Sequence, residues 1–155
     1  TSIGDGAFLS CFDLIHLTLS PNLVSIGHWA FAGCRMQGNL ALPDSLVSIG
    51  REAFAYCRGL TSVAIPDSVV SVESMAFASC ENLASVRLGR SVDAVGAEAF
   101  SGGSTLKQVL FTGNAPTATG AMAFSSATVV SFRGRRGFTF PTARGFASVM
   151  IDEAE

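Results

Sequence analysis

Four cysteines are the residues whose type and spacing could most readily do chemistry. They stand 23 residues apart, at Cys11, Cys34, Cys57 and Cys80. A Cys-x22-Cys spacing with no histidine in the same register is not a zinc signature. If each cysteine belongs to one coil of a stack, neighbouring Cβ atoms stay about 4.8 Å apart, whereas a disulfide prefers about 3.8 Å. We therefore predict free thiols buried as small core hydrophobes, with one or two disulfides as the alternative.

The two histidines, His16 and His28, are the only imidazoles that could act as a general base for a nucleophile. The repeat phase given below puts His16 on the outside of a strand and His28 on another face, so the two should not converge. No glycine-rich phosphate loop follows a strand. We therefore predict no catalytic residues, no metal and no cofactor, and we interpret the protein as a non-enzyme.

One repeat positions these side chains. The dipeptide Ala-Phe recurs with spacings of 23, 23, 23, 23 and 24 residues, at 7/8, 30/31, 53/54, 76/77, 99/100 and 123/124. Each of the first four phenylalanines is followed three residues later by a cysteine. A single coil cannot bury its own apolar side, so the coils must stack into a solenoid with a rise of about 4.8 Å per coil. The spacing predicts five to six coils.

Within one period the clearest unit runs from Leu60 to Cys80. The alternation of Val63 to Ile65 predicts a short strand, which Pro66 closes. Val69 to Val72 predicts a second short extended run. The Gly-x-x-Ala-Phe-x-x-Cys type of segment is predicted to form a short helical turn that places phenylalanine and cysteine on one side.

The composition excludes two classes of partner. The chain is 48% hydrophobic and 14% charged, with a mean hydropathy of +0.43. Its longest uncharged stretches, Leu14 to Cys34 and Gln108 to Phe132, contain proline and asparagine, so neither is the continuous apolar segment of about 20 residues that spans a membrane. A net charge of −2 argues against general nucleic-acid binding. We predict no membrane insertion and no nucleic-acid partner.

The unit resembles the BspA-like, or Treponema pallidum-type, class of leucine-rich repeats. That class repeats Leu-x-x-Ile-x-Leu-Pro followed by Ile-Gly-x-x-Ala-Phe-x-x-Cys over 23 residues, and the resemblance covers residues 1 to 126. It implies a right-handed α/β solenoid of mostly short parallel strands, with a sheet on the concave face. The chain departs from the pattern at Glu73, where glycine is usual, at Gly89 in place of proline, and in Met36 to Asn39, where the first strand leucine is lost.

The sequence predicts two parts of the chain. Residues 1–126 form the solenoid, which is expected to be truncated at its N-terminus because the chain begins inside a repeat. Residues 127–155 are predicted to form a C-terminal cap and tail. A cap is expected because the last coil would otherwise expose its apolar edge.

The predicted interaction surface is the row of outward strand side chains on the concave face. These side chains are small, and mostly neutral, which suits a protein surface or a glycan better than a deep small-molecule pocket. Arg87 carries the one charge of the central strand positions, and Ser131 would extend them. The row consists of His16, Thr18, Asn39, Ala41, Ser62, Ala64, Ser85, Arg87, Gln108 and Leu110.

Two other sets are alternative contacts. Trp29 and Tyr56 lie beside the repeat phenylalanines, where they either pack half-buried on the convex side or contact a partner. Arg133, Arg135 and Arg136 either form a solvated turn in the cap or dock an acidic partner or phosphate.

These features favour a non-enzymatic protein-interaction or adhesion module of a leucine-rich-repeat surface protein. The resemblance implies a cell-surface or secreted location, since members of the class are frequent on bacterial and protist surfaces. The alternative is a structural scaffold subunit of a larger intracellular or organellar assembly. The low charge, the series of free thiols and the absence of Asn-x-Ser/Thr sequons favour that alternative.

Overall fold

The computed structural model describes residues 1–113 and 116–125, together with the backbone of two strands at 129–133 and 148–152. Over these residues the chain winds into a solenoid of stacked coils, in which every strand pair is parallel. Each complete coil gives one strand to each of two sheets. The predicted parallel-strand solenoid of about five turns is therefore confirmed.

The two sheets differ in strand length. The strands of the shorter one, here called the minor sheet, are β1 (Ser2–Ile3), β2 (Ser25–Ile26), β4 (Ser48–Ile49), β6 (Ser71–Val72), β8 (Ala94–Val95) and β10 (Ala118–Thr119). The strands of the main sheet are β3 (Gly38–Ala41), β5 (Leu60–Ala64), β7 (Ser85–Leu88), β9 (Gln108–Phe111), β11 (Val129–Arg133) and β12 (Ser148–Asp152).

The strand register follows the 23-residue repeat. Ser62 pairs with Ser85 and Ala64 pairs with Arg87, so equivalent residues of neighbouring coils lie side by side. The register shifts once in this part of the sheet, between Gly38 and Asn39 of β3. The alternation read from the sequence is confirmed in β5, because Val63 is buried and Ala64 faces outward, partly exposed.

The core contains a continuous stack of phenylalanine rings. Successive rings of the repeat, from Phe8 to Phe124, have centroids 5.1, 5.2, 5.1, 5.3 and 5.5 Å apart, and the planes of each pair are within 10° of parallel. Phe111 of β9 closes the stack edge-on against Phe124, at 5.7 Å. Each interior ring thus buries both faces against its neighbours, as the inward assignment of the Ala-Phe motif predicted.

The segment around each Ala-Phe is a turn, and the predicted helical turns are wrong. No helix is present in the described residues. Among the described residues, the residue before each Ala-Phe and the second residue after it have φ of 53° to 75°, whereas an α-helix needs φ near −63° at successive residues. The non-glycine residues in these two left-handed columns are Trp29, Glu52, Met75, Glu98 and Met122, and Ser10, Tyr56 and Ser79.

Hydrogen bonds between coils explain this left-handed geometry. The N–H of Phe31 donates to the carbonyl oxygen of Ala53, and the N–H of Phe54 donates to that of Ala76, both at 2.8 Å. The alternation of left- and right-handed residues turns every second N–H toward the next coil instead of along its own segment. Tertiary hydrogen bonding therefore overrides the helical preference of the Ala-Phe sequence.

The predicted cap receives no support from the described part of the C-terminal segment. There, β11 pairs in parallel with β9, and β12 pairs in parallel with β11, so both strands continue the main sheet. The backbone of Ser131 lies beside Leu110, in the register that the repeat predicts.

Candidate functional site

The outward residues of β3, β5, β7 and β9 form one continuous surface. Strand register places Ala41, Ala64, Arg87 and Leu110 side by side across four coils. A second line of outward residues, two positions earlier in each strand, runs parallel to the first and consists of Asn39, Ser62, Ser85 and Gln108. We call these side chains the main-sheet row, which consists of Asn39, Ala41, Ser62, Ala64, Ser85, Arg87, Gln108 and Leu110.

The main-sheet row is nearly flat. It encloses a shallow groove of about 270 Å³. The hydroxyl of Ser62 donates to Oδ1 of Asn39 at 3.0 Å, which fixes the polar end of the groove. Arg87 is exposed and is the row's one charged side chain. Such a surface offers orientation through one cation and contact through small side chains, without a deep cavity for a small molecule.

An acidic group flanks this cation. Asp67 has its pKa lowered, chiefly because the backbone N–H of Arg90 donates to its Oδ1 at 3.0 Å. The guanidinium groups of Arg90 and Arg87 lower the pKa further, and Nε of Arg90 lies 2.7 Å from Oδ2 of Asp67. The carboxylate of Asp67 is thus taken up by Arg90, and Arg87 is left available to a partner.

The first two residues predicted for the row do not belong to the sheet. His16 and Thr18 are exposed, but residues 14–20 form no strand. The segment is tied to the next coil by a bond from the N–H of Gln37 to the carbonyl oxygen of Ile15. The strand pairing of the main sheet therefore begins at β3, one coil later than predicted.

His28 lies on the other side of the molecule, beside the minor sheet. The N–H of Arg51 donates both to Nδ1 of His28 and to Oε2 of Glu73, each at 3.0 Å. Nδ1 is therefore occupied by a backbone group in a structural contact. Among the described residues, no three His, Cys, Asp or Glu side chains are grouped to hold a metal ion.

The repeat cysteines are free, as predicted, but they differ in exposure. Cys34, Cys57 and Cys80 are buried, whereas Cys11 is exposed. Each buried thiol donates to a phenylalanine carbonyl of the preceding coil, at 3.1 to 3.2 Å. Burial raises the pKa of all three and brings that of Cys80 to about 12. Protonated thiols of this kind are poor nucleophiles.

The two aromatic residues proposed as alternative contacts point outward. Trp29 is 43% exposed and Tyr56 is 53% exposed, and both belong to the left-handed columns of the turns. Packing on the convex side and contact with a partner both stay predictions for these two residues. Of the arginine set, Arg133 ends β11, and Arg135 and Arg136 lie outside the described residues.

Sequence reasoning missed a second depression, which we call the corner groove. It has a volume of about 570 Å³ and lies where the turns meet the main sheet. The available signal was the departure from the repeat at Met36 to Asn39, together with residues that follow each cysteine. The corner groove is lined by Phe12, Gly33, Cys34, Arg35, Gln37, Tyr56, Arg58, Gly59 and Asn82.

Within the described residues, no helix has the length and apolar character needed to cross a bilayer.

Comparisons with known proteins agree with this architecture. A structure of a leucine-rich repeat protein from Bacteroides ovatus matches with 20% identity and a TM-score of 0.50, over 97% of this chain and 52% of that one. A leucine rich cell surface protein from Faecalibacterium prausnitzii matches with 20% identity and a TM-score of 0.45, over 99% of this chain and 58% of that one. The chain thus spans little more than half the length of either protein, and the first likeness shows the fold alone.

No curated protein matches this chain. The family model described as the BspA type leucine rich repeat region matches residues 1–133 in six copies. The matched range covers most of the chain and reaches the end of β11. The chain belongs to the BspA-type leucine-rich repeat family.

Proposed function

We propose that the protein is a non-enzymatic protein-binding module that uses the main-sheet row for adhesion. The observation that carries this proposal is the register of β5, β7 and β9, which aligns small side chains around the single cation Arg87. Membership in a leucine-rich repeat family supports it, because solenoids of this kind bind proteins on extended surfaces.

The strands of the row bind through their side chains. The backbone groups of β5 and β7 are already paired with strands on both sides, so an added strand has no place there. Ala64 and Leu110 supply apolar contact, and Arg87 supplies a charge that orients an acidic partner and raises its association rate. The partner is therefore a folded protein with a flat, mildly acidic patch.

We place this module on the cell surface or in secreted material. The family to which the chain belongs supports this location, for the reasons given with the resemblance above. Protease treatment of intact cells that express the full-length protein tests it. Digestion of the repeat region without lysis is expected, and protection of the repeat region until lysis would favour the intracellular scaffold.

The binding site is tested by site-specific photo-crosslinking. A benzoylphenylalanine at Ala64 is compared with one at Val70, which is 50% exposed outside the row. We expect the crosslinker at Ala64 to capture one protein from extracellular material, and the crosslinker at Val70 to capture none. The same difference is expected when that protein is purified and mixed with each chain. Equal capture from both positions would contradict the assignment of the main-sheet row.

The captured protein then allows a quantitative test. The double variant Arg87→Glu with Ala64→Arg should lose binding, since both side chains are outward and neither is part of the core. Val70→Arg is the control and should bind as the wild type does. Circular dichroism must be the same for all three chains. If the folded double variant binds normally, the partner uses another face.

A further inference from the structure

The corner groove combines aromatic, amide and cationic side chains. Some of them, such as Arg35 and the side chain of Gln37, form no ion pair or hydrogen bond with the described residues. It runs across neighbouring coils, with Phe12 at the first coil and Tyr56 at the third. No residue of the main-sheet row lines it, so it is a separate site from the one proposed for protein binding.

The groove exists because the second coil departs from the repeat. Leucine occupies the third position after the cysteine in the other coils, at Leu14, Leu60, Leu83 and Leu106, whereas the second coil has Gln37 there. Met36 turns inward instead and is 2% exposed. Gly59 completes the floor, since a Cβ at this position would collide with the carbonyl oxygen of Met36. The departure puts an exposed amide, that of Gln37, where the other interior coils have a buried leucine.

The cations of the groove are unequally paired. Arg35 and Arg58 hold the same position in successive coils, one residue after the cysteine. Nε of Arg58 lies 3.1 Å from Oε1 of Glu81, so this arginine is paired with a carboxylate at the surface. Arg35 lies over the ring of Phe12, 6.0 Å from its centroid, and forms no ion pair with the described residues. The groove therefore holds one available positive charge.

Two aromatic rings stand at its ends. Phe12 is 57% exposed and Tyr56 is 53% exposed. They are two coils apart, a separation of roughly 10 Å at the spacing of parallel strands, which is about the length of a disaccharide. In the fourth coil, the exposed Asn82 donates Nδ2 to the carbonyl oxygen of Arg58 at 2.7 Å. The side-chain amide of Gln37 is exposed and makes no hydrogen bond with the described residues.

We propose that the corner groove binds an oligosaccharide that contains a uronic acid. Arg35 pairs with the sugar carboxylate, because a guanidinium matches a carboxylate through two parallel hydrogen bonds. The rings of Phe12 and Tyr56 cover the apolar faces of two sugars of the oligosaccharide. Gln37 and Asn82 offer donors and acceptors to hydroxyl groups.

Two other ligands fit less well. An acidic peptide that adds as a strand needs an open sheet edge, and the groove is lined by side chains and turns instead. A phosphate is bound by clustered cations, and only Arg35 is uncompensated here. A uronic acid carries one carboxylate, which fits a groove with one unpaired cation, Arg35, and two exposed aromatic rings, those of Phe12 and Tyr56.

The proposal is tested by calorimetric titration of the full chain with trigalacturonate. Arg35→Ser and Tyr56→Ser use the residue found at the equivalent place in other coils, at Ser104 and at Ser10 and Ser79. Each is expected to raise the dissociation constant at least tenfold. The matched controls Arg90→Ser and Trp29→Met change an arginine and an aromatic residue outside the groove, and both should bind as the wild type does.

Three further titrations decide between ligand classes and sites. The methyl ester of trigalacturonate has the same rings without charge and should bind at least tenfold more weakly. The Arg87→Glu with Ala64→Arg variant should bind trigalacturonate normally, which separates this site from the main-sheet row. An acidic tetrapeptide that binds as tightly as trigalacturonate would overturn the proposal in favour of a peptide. Absence of trigalacturonate binding at millimolar concentration, or unchanged binding by Arg35→Ser and Tyr56→Ser, would overturn it altogether.

Discussion

The first coil and the interior coils carry the same motif in different surroundings. Phe8 is 40% exposed, whereas Phe54 is fully buried, although both follow an alanine in the same turn. Cys11 is exposed, whereas Cys57 is buried. The N–H groups of both coils bond forward to the next coil in the same way, so the backbone geometry is shared. The comparison shows that a repeat phenylalanine or cysteine is buried only when a coil packs on each side of its own coil. The residue types within the coil are not sufficient.

The largest effect that separates the two regions is expected in the phenylalanine stack. Phe54→Ala removes a ring that packs between Phe31 and Phe77, and it should lower the free energy of unfolding by about 3–5 kcal/mol. Phe8→Ala should cost only about 1–2 kcal/mol, because the ring of Phe8 stacks on Phe31 alone and is partly in water. Urea unfolding monitored by circular dichroism measures both. Equal losses would contradict the difference between the regions.

A smaller effect is expected at the glycines of the repeat. A Cβ on Gly50 would lie 2.8 Å from the carbonyl carbon of Gly27 and 2.9 Å from the N of His28, so Gly50→Ala forces two coils apart. We expect a loss of about 1–3 kcal/mol for this overpacking. Gly4→Ala is the matched control in the first coil, where nothing lies within 4 Å of the added carbon. It should stay within about 0.5 kcal/mol of the wild type by the same urea measurement.

The thiols should distinguish the regions by their alkaline stability. Burial raises the pKa of Cys57 and Cys80 above the value of 9.0 that is normal for the unfolded chain. Above pH 9 the unfolded chain releases these protons while the folded chain keeps them, so the free energy of unfolding falls as pH rises toward 12. Each thiol contributes about 1.4 kcal/mol per pH unit in that window.

Unfolding in urea at several pH values between 8 and about 11 measures this slope. In Cys57→Ala the free energy of unfolding should fall less steeply with pH, by the contribution of one thiol. Cys11→Ala should leave the slope unchanged, since Cys11 is exposed in the folded chain. A slope that is the same in both variants would show that Cys57 does not keep its proton on folding.

The smallest effect leaves stability untouched and is seen in labelling rates. Under native, non-reducing conditions a thiol reagent should modify Cys11 quickly and the three buried thiols on the order of a thousandfold more slowly. All four should react once the chain is unfolded. Fewer than four reactive thiols in the unfolded, unreduced chain would reveal a disulfide.

The coil stack was predictable from sequence because the repeat fixes its own register. Ala-Phe and cysteine at 23-residue intervals place Phe31 against Phe54 without any knowledge of local geometry. The turns were not predictable in the same way. Residues such as Glu52 and Met75 favour helices, yet their φ is 55° and 57°, because their N–H groups bond to carbonyls of the next coil. Local propensity carries no information on such long-range bonds.

The interaction surfaces were predictable to different degrees. The central positions of the main-sheet row, such as Ala64 and Arg87, follow directly from strand alternation and the repeat length. The early positions His16 and Thr18 are exposed as predicted for the row, but they lie in no strand, which the alternation of residues 14–20 does not reveal. The corner groove could have been suspected from Gln37 in a leucine position, but its volume depends on how Met36 turns into the core.

The alternation of left- and right-handed residues in the turns gives the solenoid a dipole moment along its stacking axis. The N–H groups of Gly6, Phe8 and Ser10 all point to the second coil, and the carbonyl groups that accept them all point back to the first. Peptide dipoles in these columns therefore add along the stacking axis, as they add along an α-helix. Their sense is opposite to that of an α-helix, because the partial negative charge gathers at the coil that comes first in the sequence. The two ends of the stack thus differ in potential even where their side chains are alike.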